Sequence, residues 1–118
     1  MLFTERLRDQ ILSGVKTQTR RYWKRKPPKV GSIVFAQTKL FKNDTRFARI
    51  KILRVWEWDG ETISDDDVMA EGFLSFPEFM REYYRLNNGC KDPLRTHYAV
   101  EFEVVEKIQE ETDGNASK

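Results

Sequence analysis

Gly14-Val15-Lys16-Thr17-Gln18-Thr19-Arg20-Arg21 packs three cations, three hydroxyl or amide side chains and one large apolar residue into eight positions. That mix does not build a core. Two readings stand beside each other: an exposed loop following a helix, or a turn that binds an anion or a nucleobase. In the second, Lys and Arg meet a phosphate or carbonyl while Thr and Gln read a base edge. The segment also holds the parts of a nucleophilic centre, because a threonine hydroxyl attacks once a base takes its proton. Lys16 has an ordinary pKa of about 10.4. It serves as that base only if it is desolvated or crowded by cations, and Arg20 and Arg21 push that way. Left charged, it would stabilise an oxyanion instead. Residues three apart in a strand point to opposite faces, so Lys16 and Thr19 share one site only if the backbone turns between them. In a straight strand Thr17, Thr19 and Arg21 line one face and Lys16 lies elsewhere.

Downstream, Arg20, Arg21, Lys24, Arg25, Lys26 and Lys29 place six cations in ten residues, with Tyr22 and Trp23 among them. Aromatics between cations suit single-stranded RNA, through stacking and phosphate contact; a solvated basic loop is the alternative. Trp56 and Trp58 share a face, as core packing or as a stacking wall. The Asp65-Asp66-Asp67 run reads as helix-start charge and not as a metal site. Tyr83 and Tyr84 read as packing residues, with a phenol near the pocket able to orient a ligand, and His97 reads as structural. Cys90 has no base partner nearby in sequence. With one Cys and one His the chain makes no zinc site, and no metal or cofactor is expected.

Elements must hold these groups in place. Thr4 caps a predicted helix over 5–13, with Leu7 and Ile11 on its buried side and Gly14 as its left-handed stop. Residues 22–31 read as a basic loop, since Pro27-Pro28 excludes helix and central strand. A strand follows over 32–38, a turn at Asn43-Asp44, and a long strand over about 46–58 whose alternation slips at Ile52-Leu53, the mark of a bulge. Asp59-Gly60 turns the chain. Ser64 and its three aspartates open a short helix. Ser75-Phe76-Pro77-Glu78 forms a capping box for a helix over 76–87 that buries Phe76, Phe79, Met80 and Tyr83, and Asn88-Gly89 ends it. The last strand spans 98–105 with Tyr98, Val100, Phe102 and Val104 inward. Turns, not regular crossover helices, join the strands, so the class is α+β: a mainly antiparallel small curved sheet or β-barrel with helices at its periphery.

The length of 118 residues suits a single domain, expected over 1–108, with a polar tail over 109–118 expected to be disordered. No apolar run is long enough to span a bilayer. The N-terminus lacks the apolar stretch of a signal peptide, and the lone cysteine suits a reducing compartment, so a cytoplasmic protein is expected. Net charge is only +2, yet residues 1–58 carry 15 Lys/Arg against 4 Asp/Glu and residues 59–118 carry 6 against 15. The asymmetry fits an anionic partner for the basic half, or pairing of the two halves in the fold.

The order of motifs resembles the ASCH domain, a PUA-like family. It comprises a helix ending in the Gly14-x-Lys16-x-x-Thr19-x-Arg21 pattern, the Val30-Gly31-Ser32-Ile33-Val34 strand, Ala70-Glu71-Gly72-Phe73 before a capped helix, and the closing Val100-Glu101-Phe102 strand. The resemblance covers roughly residues 2–106. The family includes a bacterial amidohydrolase that removes the acetyl group of N4-acetylcytidine with a Lys, a Thr and a Glu. These fall on Lys16, Thr19 and Glu71, and a family arginine falls on Arg21. Other members are RNA-binding modules, and a ribonuclease has been described. The resemblance thus implies a protein that binds a modified nucleoside or RNA and hydrolyses an acyl amide on the base, or a non-catalytic RNA-binding module, or, third, a ribonuclease. Thr19 would be the nucleophile and Arg21 a ligand clamp. Lys16 would be base or oxyanion partner, with Glu71 moving the proton if Lys16 stays charged. Arg20, Tyr22, Trp23, Lys24, Arg25 and Lys26 are the further ligand contacts expected. A monomer is assumed.

Overall fold

The computed structural model describes residues 1–24, 26–87, 89 and 95–108. Arg25, Asn88, Cys90 and the tail lie outside the described residues, and with them the expectations placed there. Helix α1 (Glu5–Ser13) ends on Gly14, whose φ of 86° satisfies the left-handed stop. Thr4 is its N-cap by position, but its hydroxyl makes no capping bond. Strand β1 (Gln18–Trp23) follows, then β2 (Ile33–Gln37), a single 3-10 turn at Asn43–Thr45, and β3 (Arg46–Glu57). Helices α2 (Asp65–Ala70) and α3 (Phe76–Leu86) precede the closing β4 (Thr96–Lys107). Ser64 accepts from the Asp67 N–H and Ser75 from the Glu78 N–H, so both expected caps form; the Glu78 carboxylate reaches back to the Leu74 N–H. Phe76, expected inside, is exposed, because it occupies the first position of its helix and the core lies beneath Phe79 and Tyr83.

One correction concerns the basic segment. Residues 22–31 are not all loop: Tyr22 and Trp23 end β1, paired with His97 and Thr96 of β4. The four strands form one antiparallel sheet in the order β1-β4-β3-β2. The sheet is open, with β1 and β2 at its edges, so the curved-sheet form of the expectation holds and the closed barrel does not. A bulge between Ile52 and Arg54 shifts the β3–β4 register where the alternation slips.

Both faces of the sheet are covered. On one face Phe3, Leu7 and Ile11 pack against Ile50, Ile52, Val100 and Phe102, with Trp23 and Val55 alongside. On the other, Tyr22, Ala99, Trp56 and Trp58 pack against Val68, Phe73, Phe79 and Tyr83 of the α2–α3 region. Neighbours in one strand go to different cores: Ala99 and Val100, Val55 and Trp56, Tyr22 and Trp23. This is the two-residue period of a strand buried on both sides. The N-terminal segment lies along the β2 edge, where Phe3 N–H donates to the Gln37 carbonyl at 2.9 Å and Gln37 N–H donates to the Met1 carbonyl at 2.9 Å. A segment laid there blunts an otherwise open edge.

Candidate functional site

β1 pairs with β4 from Gln18 to Trp23 without a register shift, and Phe102 N–H donates to the Thr17 carbonyl just ahead of it. The segment is therefore straight, and alternation divides its side chains between the two faces. Lys16, Gln18 and Arg20 go to the α2 side. Thr19, Arg21 and Trp23 go to the α1 side.

The α2 side holds a buried ionic cluster. Glu71 sits at the C-terminal cap of α2, held by its N–H to the Asp67 carbonyl, and Gly72 with φ of 97° carries the chain away. Lys16 and Glu71 are each 2% exposed. The Lys16 ammonium donates to the Gln18 carbonyl at 2.6 Å, the Glu71 carbonyl at 2.8 Å and the Glu71 carboxylate at 3.3 Å. All three of its donors are thereby used, one at a helix C-terminus where a cation is favoured. Arg20 donates to the other Glu71 oxygen at 3.0 Å, to Gln18 Oε1 at 2.7 Å and to Asp67 at 3.4 Å, while Gln18 Nε2 donates to Asp67 at 3.0 Å. The Arg20 guanidinium also lies over Trp56 and Trp58, 5.5 and 5.4 Å from their centroids. Two cations thus face two carboxylates, and the charges balance. Burial pushes the Lys16 pKa below its ordinary 10.5; Glu71 opposes this, and Arg21 and Arg20 add to it.

The α1 side differs. Arg21 donates to the Leu2 carbonyl and, through Nε, to the Thr19 hydroxyl at a long 3.5 Å. Its guanidinium lies 4.9 Å from the Phe3 ring centroid and 5.8 Å from that of Trp23. Desolvation lowers its pKa to about 10, so it stays charged at neutral pH. Thr19, Arg20 and Arg21 of β1 line a cleft of about 450 Å³, bounded further by Leu2, Phe3, Thr4 and Leu7, by Thr38 and Leu40 after β2, and by Leu86 and Asn87 at the end of α3. The cleft occupies the gap that the open sheet leaves between β1 and the segment following β2.

Of the residues expected to act together, the structure joins Lys16 to Glu71 and separates both from the Thr19 hydroxyl, which bonds to neither. Arg20, expected to meet ligand, has its guanidinium engaged by carboxylates and also contributes to the cleft lining. Tyr22, expected in a stacking loop, is packed under His97 at a ring distance of 4.7 Å, its ring enclosed in the core. Lys24 and Lys26 are exposed, and Trp23 is half-buried. Two members of the ionic cluster are not singled out by sequence reasoning. Gln18 is one polar residue among several in its segment, and Asp67 reads only as helix-start charge. The i, i+2 spacing of Lys16, Gln18 and Arg20 is the signal that could have found them.

No family model matches the chain, and no curated protein does. Solved structures do. The ASCH domain of Lactobacillus crispatus JV V101 is 19% identical over 84% of this chain and 70% of its own, with a TM-score of 0.61. This chain has the ASCH-domain fold. The ASCH protein of Zymomonas mobilis aligns over 99% of this chain and 79% of its own at 17% identity and a TM-score of 0.59. A DUF984-family protein of Enterococcus faecalis V583 aligns over 88% and 72% at 21% identity and a TM-score of 0.63. At these identities the likeness is one of fold. No helix among the described residues is long and apolar enough to cross a membrane.

Proposed function

We propose that this ASCH-fold chain binds a nucleoside or an RNA base in the cleft beside β1. The cleft itself carries the reading: about 450 Å³, apolar walls from Leu2, Phe3 and Leu7, and the Thr19 hydroxyl and Arg21 guanidinium as convergent polar groups. That is the size and composition of a small-molecule site. A guanidinium beside a hydroxyl suits a base carbonyl or a phosphate. The 15 Lys/Arg in residues 1–58 favour a base carried on RNA, whose phosphates are anionic. Titration with cytidine and N4-acetylcytidine tests it: binding weakened by Arg21→Gln supports the reading, and no binding of either nucleoside overturns it.

A second reading, hydrolysis of an acyl amide on the base, is favoured by the desolvated Lys16 ammonium in contact with Glu71. Thr19 Oγ would add to the amide carbonyl as its proton passes to a base. The departing amine would take a proton, and water would cleave the resulting ester. Among the described residues, no cleft-lining side chain is a carboxylate or imidazole. Lys16 and Glu71 are the groups this chemistry would recruit, and since they lie on the other face of β1 from the Thr19 hydroxyl, the strand would have to rearrange to bring them to it. Release of cytidine from N4-acetylcytidine, abolished in Thr19→Ala, is the expected result; release that survives Thr19→Ala contradicts the mechanism. Non-catalytic RNA binding through the same basic half is what remains if nucleosides bind without turnover.

A further inference from the structure

The segment from Lys39 to Lys42 forms a four-residue turn, closed by Lys42 N–H donating to the Lys39 carbonyl at 3.4 Å. Phe41 occupies its third position with φ of 60°, the left-handed region that Gly or Asn usually fills. The Phe41 side chain is 91% exposed. Neither turn geometry nor packing asks for phenylalanine at this point. The turn is nonetheless held firmly. Thr45 Oγ1 accepts from Lys39 N–H at 3.2 Å and donates to the Lys42 carbonyl at 2.6 Å, and Gln37 Nε2 donates to the Lys39 carbonyl at 2.8 Å. The residue before Phe41, Leu40, is part of the cleft wall. An exposed ring on a held turn, next in sequence to a cleft-wall residue and flanked by Lys39 and Lys42, is an arrangement that takes a stacked base with phosphates on either side.

We propose that Phe41 is a stacking platform for a second nucleotide, with Lys39 and Lys42 on its phosphates, so that the chain prefers a single-stranded oligonucleotide over a free nucleoside. The inference rests on the cleft being a nucleoside site. It places the outer contact on the β2–β3 connection and not on the Tyr22-Trp23 pair.

Fluorescence anisotropy with a short oligocytidylate, set against calorimetry with cytidine, tests it. The oligonucleotide binds the native chain more tightly than cytidine does. Phe41→Ala weakens oligonucleotide binding by about 5- to 150-fold. Cytidine binding is unchanged, and Phe41→Trp restores the oligonucleotide. Lys39→Gln with Lys42→Gln flattens the salt dependence by about 0.7 in log–log slope for each phosphate that is no longer neutralised. Phe41→Gly loses oligonucleotide affinity while its Tm stays level or rises, which separates stacking from folding. If cytidine binds but the oligonucleotide binds no better, or if Phe41→Ala leaves both unchanged, the platform is refuted and the cleft survives. If neither ligand binds, both readings fall.

Discussion

The two faces of β1 carry residues of similar type and do opposite things. On the α2 side Lys16, Gln18 and Arg20 meet Glu71 and Asp67, and every Lys16 donor has a partner. On the α1 side Thr19 and Arg21 meet one backbone carbonyl, a long hydrogen bond and a cleft. A charge neutralised inside the fold is committed to holding it together, because removing one partner leaves the other unpaired in a dry interior. A charge facing a cleft, paired mainly with backbone and aromatic faces, is available to a ligand. Parity along β1 thus decides which polar side chains join the buried ionic cluster and which ones the cleft proposal rests on.

Breaking the buried set has the largest effect. Glu71→Ala leaves the Lys16 and Arg20 charges without their main counter-ion, and a loss of about 3–5 kcal/mol is expected in urea unfolding. Lys16→Met is milder, about 1–3 kcal/mol, since Arg20 still holds Glu71 while two carbonyls lose their donor. That pair also fixes a pH signature. The folded chain holds the Lys16 proton less tightly than the unfolded chain, so the Lys16 contribution becomes more favourable as pH rises through the window below 10.5. The stability advantage of the native chain over Lys16→Met therefore grows with pH there, measured by parallel melts. A difference that shrinks with pH would contradict the desolvation account.

On the cleft face the order of effects inverts. Arg21→Gln shifts stability by about 1 kcal/mol and weakens cytidine binding by about 10- to 150-fold, the range for a hydrogen bond to a charged group. Thr19→Ala is the smallest in both respects: stability within about 1 kcal/mol and binding weaker by a few-fold, as for a neutral hydrogen bond. A Thr19→Ala chain as unstable as Glu71→Ala would erase the distinction between the faces.

Much of the fold is legible in the residues themselves. Leu7 and Ile11, the alternation through Ala48, Ile50 and Ile52 with its slip, and the Ser64 and Ser75 caps all appear where periodicity and capping chemistry place them. β1 is not legible, because its inward residues on one side are Gln18 and Arg20, and a strand whose core face is ionic shows no hydrophobic alternation. The approach of Lys16 to Glu71 is implied by family resemblance and is found. Only the straight-strand alternative anticipates that Thr19 faces away from Lys16. Phe41 carries no sequence signal, since its interest lies in a backbone angle and an exposure.

The most direct measurement is an amide NMR titration of the native chain with cytidine. Shifts concentrated at Leu2, Phe3, Thr19, Arg21 and Leu40, with Lys16 and Glu71 little changed, are the result predicted from the division of β1 into a structural and a ligand face. Shifts concentrated at Trp56, Asp67 and Glu71, with the cleft residues unmoved, would contradict it.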